Sequence, residues 1–454
     1  MALLVRLGTQ ERIHEGDAGR GLRILSCAFA CNPSGSSGGE DVLGWNVIEQ
    51  ISKGHEVWVL TSSENRGAIN EALRKHPIPS ARFCYFDLPW WMRSLRRFPG
   101  GIQCYAYLWQ VCVFSLAWRL HRRYRFDLFH HVTYANDWMA SFIGALLPIP
   151  YIRGPGGGAH RVPRAFLREF PPAQRCWESL RSLGQWLFRH DPIFITSQHR
   201  ARALLVCNQE ALAAIPQRWQ KKAHLFPVNG VSDEDLRRLS NHAEVRKLSG
   251  FTVLMAGKLL RLKGFPLALK AFQRFSDRYP DGLLRIIGDG PDRSALCRLI
   301  QTLRLEGCVH LEPWMPRLQL FEALRTCDVF LFPSLRDGGG QVVIEALAAG
   351  KPVICLDVGG PRIHVSDGCG IKIPADSPEQ AIQRLAEALE RLYLDEDLRR
   401  HMGQAARTRA YEEYRWDRLG ERLLAIYEEA LGPRLGVLRE GEQKEALVEV
   451  TCQS

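Results

Sequence analysis

The stretch from Phe330 to Pro361, FLFPSLRDGGGQVVIEALAAGKPVICLDVGGP, limits the possible folds most sharply. Asp328–Phe332 is a short apolar run rich in β formers. Gly338, Gly339 and Gly340 follow as a turn that lets backbone N–H groups approach a bound anion. Gln341–Ala349 then reads as a helix whose N-terminus points at that turn, a natural phosphate site. The next run, Pro352–Leu356, suits a buried parallel strand. Strand, glycine turn, helix and strand in this order belong to a doubly wound α/β layer.

The helix is apolar on nearly every side, and Glu345 is its exception. A buried carboxylate must find partners or lose its charge. A salt bridge to a Lys or Arg satisfies it, and so do hydrogen bonds from ligand hydroxyls. The helix by itself leaves both open. Asp337 stands just before the glycines, so the two acids bracket the turn as Asp-x7-Glu.

A similar pattern opens the chain. Leu22–Phe29 reads as a strand, followed by the loop CNPSGSSGGEDVLGW with Gly38 and Gly39, a helix Leu43–Lys53 and a strand His55–Thr61. The loop is not GxGxxG and no acid closes the second strand, so a dinucleotide fingerprint is not supported. Glycines at the carboxyl end of a first parallel strand favour a ligand loop. Further strands read at Arg82–Asp87, Asp127–Thr133, Pro150–Arg153, Ala203–Cys207 and Ala223–Val228, with a helix over Arg164–His190. The loop RGPGGGAH, Arg153–His160, again suggests close backbone approach to a ligand, through Gly156 and Gly157. His131 and His160 are candidate acid, base or hydrogen-bonding groups, although either one alone is more often structural.

Asn229–Gly230 is a turn signal, and the polar residues 229–250 read as a linker. The pattern then restarts with strands Thr252–Ala256, Leu283–Ile287 and Val309–Glu312, and helices Phe265–Tyr279 and Pro291–Leu305. Gly257-Lys258-Leu-Leu-Arg261-Leu-Lys263-Gly264 follows its first strand, and Gly288-Asp289-Gly290-Pro291 follows its second. Cations and helix N-termini gathered at strand ends suit a pyrophosphate. DEDLRR occurs at Asp233–Arg238 and at Asp395–Arg400, read each time as an acidic helix start rather than a metal site. Leu385–Arg409 reads as two helical stretches and Tyr414–Leu431 as an amphipathic helix.

The charge of +11 is unevenly placed, with 28 Lys and Arg against 16 Asp and Glu in residues 1–227. An anionic partner for that half follows as an expectation, an anionic membrane surface among the candidates. PWWMRSLRRFPG at Pro89–Gly100 has the aromatics and arginines of a lipid interface, or of an exposed loop over the core. Ile102–Leu120 is apolar but interrupted by Gln110 and Arg119, which favours a buried or amphipathic helix over a membrane span. The 13 cysteines lie mostly in apolar runs with no CxxC pair, and no signal peptide reads at residues 1–20, so a reduced, cytoplasmic chain is expected. No nucleic-acid recognition motif accompanies the basic excess, and no metal-ligand cluster is visible.

Together these residues resemble a family 4 (GT4-type) glycosyltransferase of GT-B fold. The resemblance rests on Asn229-Gly230-Val231, Gly257-Lys258-Leu259 with Lys263-Gly264, Gly288-Asp289-Gly290-Pro291, Pro333-Ser334, Asp337-x7-Glu345-Ala346 and Gly350-Lys351-Pro352-Val353. Gly44-Trp45-Asn46, the Gly154–Gly158 loop and the PSLxDxGG run at Pro333–Gly340 are similar to one subgroup. It implies two Rossmann-like doubly wound domains facing a central cleft. Residues 21–228 would form the acceptor domain and 229–415 the donor domain. Helix 416–432 would return to the first domain, between a disordered tail at 1–20 and a polar tail at 433–454.

By the same resemblance the co-substrate is a nucleotide sugar, with no cofactor and no metal. The acceptor is a glycan or lipid-linked molecule, as in cell-surface polysaccharide or glycolipid synthesis. Transfer proceeds with retention; a place on the inner face of the plasma membrane is expected separately, from the basic first half and the PWWMRSLRRF run. Lys258 and Lys263 would hold the donor diphosphate. Relatives usually carry Arg at the first of these positions, so Lys258 lacks the bidentate fork. Glu345 would bind the donor ribose. Asp337 would face the donor sugar from a position where Glu is usual. Gly38, Gly39, Gly257, Gly288, Gly290, Gly338, Gly339 and Gly340 would line the donor. His131, Gly156, Gly157 and His160 would lie on the acceptor side. A nucleotide-sugar epimerase of the same fold and a non-catalytic nucleotide-sugar or anionic-glycan binding protein are the alternatives.

Overall fold

The computed structural model describes residues 21–34, 39–98, 100–240 and 250–432. The expectations for residues 1–20, Gly38 and 433–454 lie outside the described residues.

Two parallel sheets organise the chain. The first contains β1 (Arg23–Cys27), β2 (Glu56–Thr61), β3 (Ala81–Tyr85), β4 (Leu128–His131), β5 (Tyr151–Gly156), β6 (Ala203–Val206) and β7 (Ala223–Leu225), in the order β3-β2-β1-β4-β5-β6-β7. The second contains β8 (Thr252–Ala256), β9 (Leu283–Ile287), β10 (Val309–Glu312), β11 (Val329–Phe332), β12 (Val353–Leu356) and β13 (Gly370–Ile373), in the order β10-β9-β8-β11-β12-β13. Strand order reverses between β1 and β4, and again between β8 and β11. Such reversals open crevices at the carboxyl ends of the strands, where ligands of doubly wound sheets sit.

Hydrophobic burial explains why the strands read so clearly. β4, β6, β8, β11 and β12 are buried along their whole length, as strands covered by helices on both faces must be. Their Val, Ile, Leu and Phe side chains join helices such as Phe265–Ser276 and Pro378–Leu394 in continuous cores.

Several boundaries differ from the sequence reading. The single helix expected over Arg164–His190 is two, Arg164–Leu167 and Pro172–Arg189. Pro171 and Pro172 lack the N–H a continuous helix needs, and Pro172 starts the second helix instead. The first helix begins at Gly39, four residues before the expected start, so Gly39 is helical rather than part of the loop. β5 runs on to Gly156, which places Gly154 and Gly156 within the sheet. The expected linker contains the helix Asp233–Ser240, begun by the acidic DEDLRR run. Ile102–Leu120 lies inside the helix Gly101–Tyr124, and none of the described helices is long and apolar enough to cross a membrane.

The last helix, Trp416–Leu431, packs against Gly39–Ile51 of the first half. Leu419, Leu423 and Tyr427 share a core cluster with Ile24, Leu43 and Val47. Tyr427 places its hydroxyl 2.6 Å from His130 Nδ1, and His130 Nε2–H donates to Gly154 O at 2.6 Å. One buried imidazole thus ties the end of the chain to the glycine segment of β5.

Candidate functional site at the carboxyl edge of the second sheet

Four loops converge at the carboxyl ends of β8, β9, β11 and β12. The first two are laid on each other. Gly257 N donates to Ile287 O at 3.0 Å, and Leu259 N to Asp289 O at 2.8 Å. A Cβ on Gly288 would lie 2.0 Å from Gly257 O, and one on Gly290 would lie 2.5 Å from Leu259 O. These glycines therefore permit contact between two backbones, a role that stands beside any contact with a ligand. Lys258 projects from this joint, exposed and without an ion pair among the described residues.

The loop after β11 is held by Asp337. Its Oδ1 accepts from Gly339 N at 3.1 Å and Gly340 N at 2.7 Å, and its Oδ2 forms an ion pair with Lys263. Burial alone would raise this carboxyl. The Lys263 ammonium and the two glycine N–H groups outweigh burial and hold it below the usual carboxylate range. Gly340, at φ 55°, is the N-cap of the helix Gln341–Ala348 and has no side chain to cap with. Asp337 instead closes the turn just ahead of that helix, accepting from N–H groups that precede its first turn. Lys263 also lies 5.4 Å from the centre of the Phe332 ring.

Glu345 is 3% exposed. Arg317 reaches its Oε1 through Nε at 3.0 Å and Nη2 at 2.7 Å, and Gln341 Nε2 donates to the same oxygen at 3.2 Å. Arg317 bridges onward to Asp235 Oδ2 at 3.0 Å. Burial raises the Glu345 carboxyl, and Arg317 opposes that rise. Of the two partners left open by the helix, the Arg salt bridge is formed in this structure. Arg317 carries no motif that would have singled it out, because it arrives from the helix Arg317–Thr326 rather than from a neighbouring loop.

The first domain closes on this edge. Arg336, beside Asp337, pairs with Glu178 of the helix Pro172–Arg189 at 2.5 Å. Gly359 N donates to Glu210 Oε1 at 2.9 Å, and Arg261 Nη1 to Glu169 O at 2.8 Å. A Cβ on Gly338 would sit 3.3 Å from His160 Cε1. His160 therefore lies against the glycine turn of the other domain. Burial, helped by the nearby Arg336 and Arg181 cations, lowers its pKa to about 4. His364 Nε2–H donates to Gly339 O at 2.6 Å, and burial likewise takes His364 down to about 4. Arg336, Glu178, Glu210 and His364 were missed by the sequence reading, since their partners lie across the cleft or on another loop.

The remaining acceptor-side candidates are packed within their own domain. His131 is 1% exposed in β4, its ring nitrogens without partners among the described residues, and burial takes its pKa down to about 3. Gly156 lies under Ala135 O, where a Cβ would come within 1.9 Å, and Gly157 lies against Cys207 Sγ. Of the four, His160 alone is placed at the other domain's turn. Gly39 stands within 3.8 Å of Asn229 Oδ1 when given a Cβ, so the first helix also begins at the cleft. Among the described residues no group of three His, Cys, Asp or Glu is arranged to hold a metal ion.

Residues 237–409 match the family described as "Glycosyl transferases group 1". The chain is 34% identical over 200 residues to a D-inositol 3-phosphate glycosyltransferase of Paenarthrobacter aurescens (strain TC1), covering 43% of this chain and 48% of that protein. It is 33% identical over 186 residues to an alpha-maltose-1-phosphate synthase of Mycolicibacterium smegmatis, covering 38% of this chain and 47% of that protein. These alignments span about half the length of the curated relatives. The structure of a glycosyltransferase from Rickettsia africae ESF-5 superposes with a TM-score of 0.63 at 14% identity, over 90% of this chain and 99% of that one. The paired parallel sheets are thus those of the GT-B fold.

Proposed function

Residues 237–409 belong with the group 1 glycosyl transferases, and from that premise we propose that the chain moves a sugar from a nucleotide-sugar donor to a glycan or lipid-linked acceptor. The observation that carries this reading is the Lys263–Asp337 pair at the glycine turn capping Gln341–Ala348. A diphosphate would seek the groups that Asp337 now engages, one ammonium and the two glycine N–H groups of the turn leading into a helix. Lys258 supplies a second cation at the neighbouring loop. Charge developing on the leaving diphosphate would be stabilised by both lysines and the helix dipole.

Glu345 is assigned to the donor ribose, with Arg317 opposing the rise that burial imposes on its carboxyl. Asp337 is assigned to the sugar end, once the phosphate has drawn Lys263 toward itself. His160 lies against the turn from the acceptor domain, and burial favours its neutral form. We assign it a hydrogen-bonding role toward the acceptor or the transferred sugar. Transfer is taken to retain configuration, to require no metal and no protein general base, and to occur peripherally at the inner face of the plasma membrane. Glycolipid or surface polysaccharide synthesis is the matching context.

The test is nucleotide release from UDP-, GDP- and ADP-sugars with a glycolipid fraction as acceptor, in the presence and absence of EDTA. Release with formation of an α-linked product, unchanged by EDTA and abolished in Lys263→Ala, is the expected result. Donor binding with no hydrolysis or transfer on any acceptor would instead favour a nucleotide-sugar binding protein.

A further inference from the structure

Residues 160–170 follow the glycine segment of the first domain and enter the core of the second. Val162, Phe166 and Phe170 are 3%, 2% and 4% exposed, and the buried cluster they share is the second domain's, with Leu259, Phe265 and Leu335 among its members. Ala165 and Leu167 pack against the same cluster, and no other described residue of the first domain takes part in it. Apolar burial therefore assigns this short segment to the second domain, although the chain assigns it to the first. Where the segment leaves its own domain, hydrogen bonds hold it: Ala159 N donates to Asp137 Oδ2 at 2.8 Å, and Gln185 Nε2 to Gly158 O at 2.9 Å. Gln185 lies in the helix Pro172–Arg189, an inverted one, whose buried residues are Glu178 and Gln185 while Leu180, Leu183 and Leu187 face outward. With its leucines outside, that helix gives the segment no apolar anchor in the first domain.

The part of the second domain that the segment meets is the loop after β8. Leu259 belongs to the shared cluster, and Leu262 packs against it. Arg261 Nη1 donates to Glu169 O at 2.8 Å. Leu262 O in turn accepts from Leu335 N at 2.8 Å and from Ser334 Oγ at 3.3 Å, which ties the loop after β8 to the one after β11. Lys258 and Lys263 stand on the first of these loops and Asp337 on the second. At the start of the segment His160 lies against Gly338, and just beyond its end Glu178 holds Arg336. Both loops that carry the Lys263–Asp337 pair are thus backed by one stretch of the first domain.

We propose that Phe166, together with Val162 and Phe170, is a positioning residue for the donor diphosphate: from the acceptor domain it braces the loop that presents Lys258 and Lys263. A lysine ammonium is a point charge on a flexible stem, so its place depends on where the loop holds its backbone. A binding group held about 1 Å too loosely forfeits much of its contact. Phe166 does this by filling the space behind Leu259 and Leu262, on the side of the loop away from the ammonium groups. The inference rests on the diphosphate role proposed above for the two lysines. A segment that only joined the two domains would change stability and leave the phosphate contacts as they are.

Calorimetry on the full chain with UDP, GDP and ADP, and with the matching monophosphates, tests it. The quantity read is the ratio of monophosphate to diphosphate dissociation constants for the nucleotide that wild type binds, which isolates the second phosphate. Lys263→Ala should lower this ratio at least about tenfold. Phe166→Ala should lower it at least about fivefold, and Phe166→Leu should restore most of it. Phe275→Ala is the control. It removes a buried ring from the same cluster at the far end of the helix Phe265–Ser276, against Phe251 and Tyr393. It should lower the melting temperature and leave the ratio at its wild-type value. Should Phe166→Ala fail to fold, Val162→Ala with Phe170→Leu gives the same reading. Two outcomes overturn the proposal alone. One is a wild-type ratio in whichever of these variants folds, while Lys263→Ala lowers it. The other is a fall in Phe275→Ala as large as that in Phe166→Ala. Wild-type chain that binds no diphosphate, or binds it no tighter than the monophosphate, overturns the diphosphate reading itself and this inference with it.

Discussion

Asp337 shows how one side chain can carry several duties. Its carboxylate closes the glycine turn that leads into a helix and neutralises Lys263. Asp337→Ala should lower nucleotide-sugar turnover at least tenfold and destabilise the fold by about 1–3 kcal/mol, from the loss of charge-assisted hydrogen bonds. Turnover and donor choice equal to wild type would remove Asp337 from the site. The pH dependence has a definite sign. The folded-state pKa lies below the unfolded value, so this stabilisation is complete above about pH 4 and fades as pH falls through the folded pKa. Denaturation curves for wild type and Asp337→Asn should accordingly converge in strong acid. The residue type and position were legible in the sequence. Its engagement with Lys263 was not, because 74 residues separate the two.

At the scale of elements, the helix Gln341–Ala348 depends on Arg317–Thr326. Arg317→Ala would leave Glu345 buried without its cation. A loss of about 2–3 kcal/mol is expected, below the usual figure for a broken buried pair because Arg317 is itself half exposed. Arg317→Ala combined with Glu345→Gln should recover part of that loss in chemical denaturation. Additive losses would show that the pair contributes no coupling. The inverted helix Pro172–Arg189 belongs to this scale too. Its apolar spacing reads as an ordinary amphipathic helix, and only its neighbours reveal which face is turned outward. Sequence periodicity gives the stripe but carries no direction relative to the core.

For the whole molecule, buried imidazoles link acid sensitivity to the joint between domains. His130, His160 and His364 are each held near a pKa of about 4 by burial, against about 6.5 when unfolded. Between those values the unfolded chain binds more protons than the folded one. Stability should therefore fall as pH drops from about 6.5 toward 4. Thermal melts across that range check it, and His364→Gln should flatten the dependence. A melt independent of pH there would contradict neutral, buried imidazoles. Glu178 and Arg336 join the two sheets' domains directly. A double-mutant cycle of Glu178→Ala and Arg336→Ala should give a coupling of about 1–3 kcal/mol.

The sequence by itself determined the strands, the glycine turns at their ends and the residue types gathered there. Those follow from local rules: apolar runs bury, glycine admits close approach, and an apolar helix isolates a lone acid. The Phe330–Pro361 stretch alone announced a doubly wound half with Asp337 and Glu345 around its turn. The tertiary structure decided the partners. It gave Asp337 to Lys263 and two glycine N–H groups, Glu345 to Arg317, His160 to the opposite domain and His131 to the interior of a sheet. It also turned the leucines of Pro172–Arg189 outward. Each of these pairings joins groups far apart in the chain, and their meeting depends on how two sheets and their crossing helices pack.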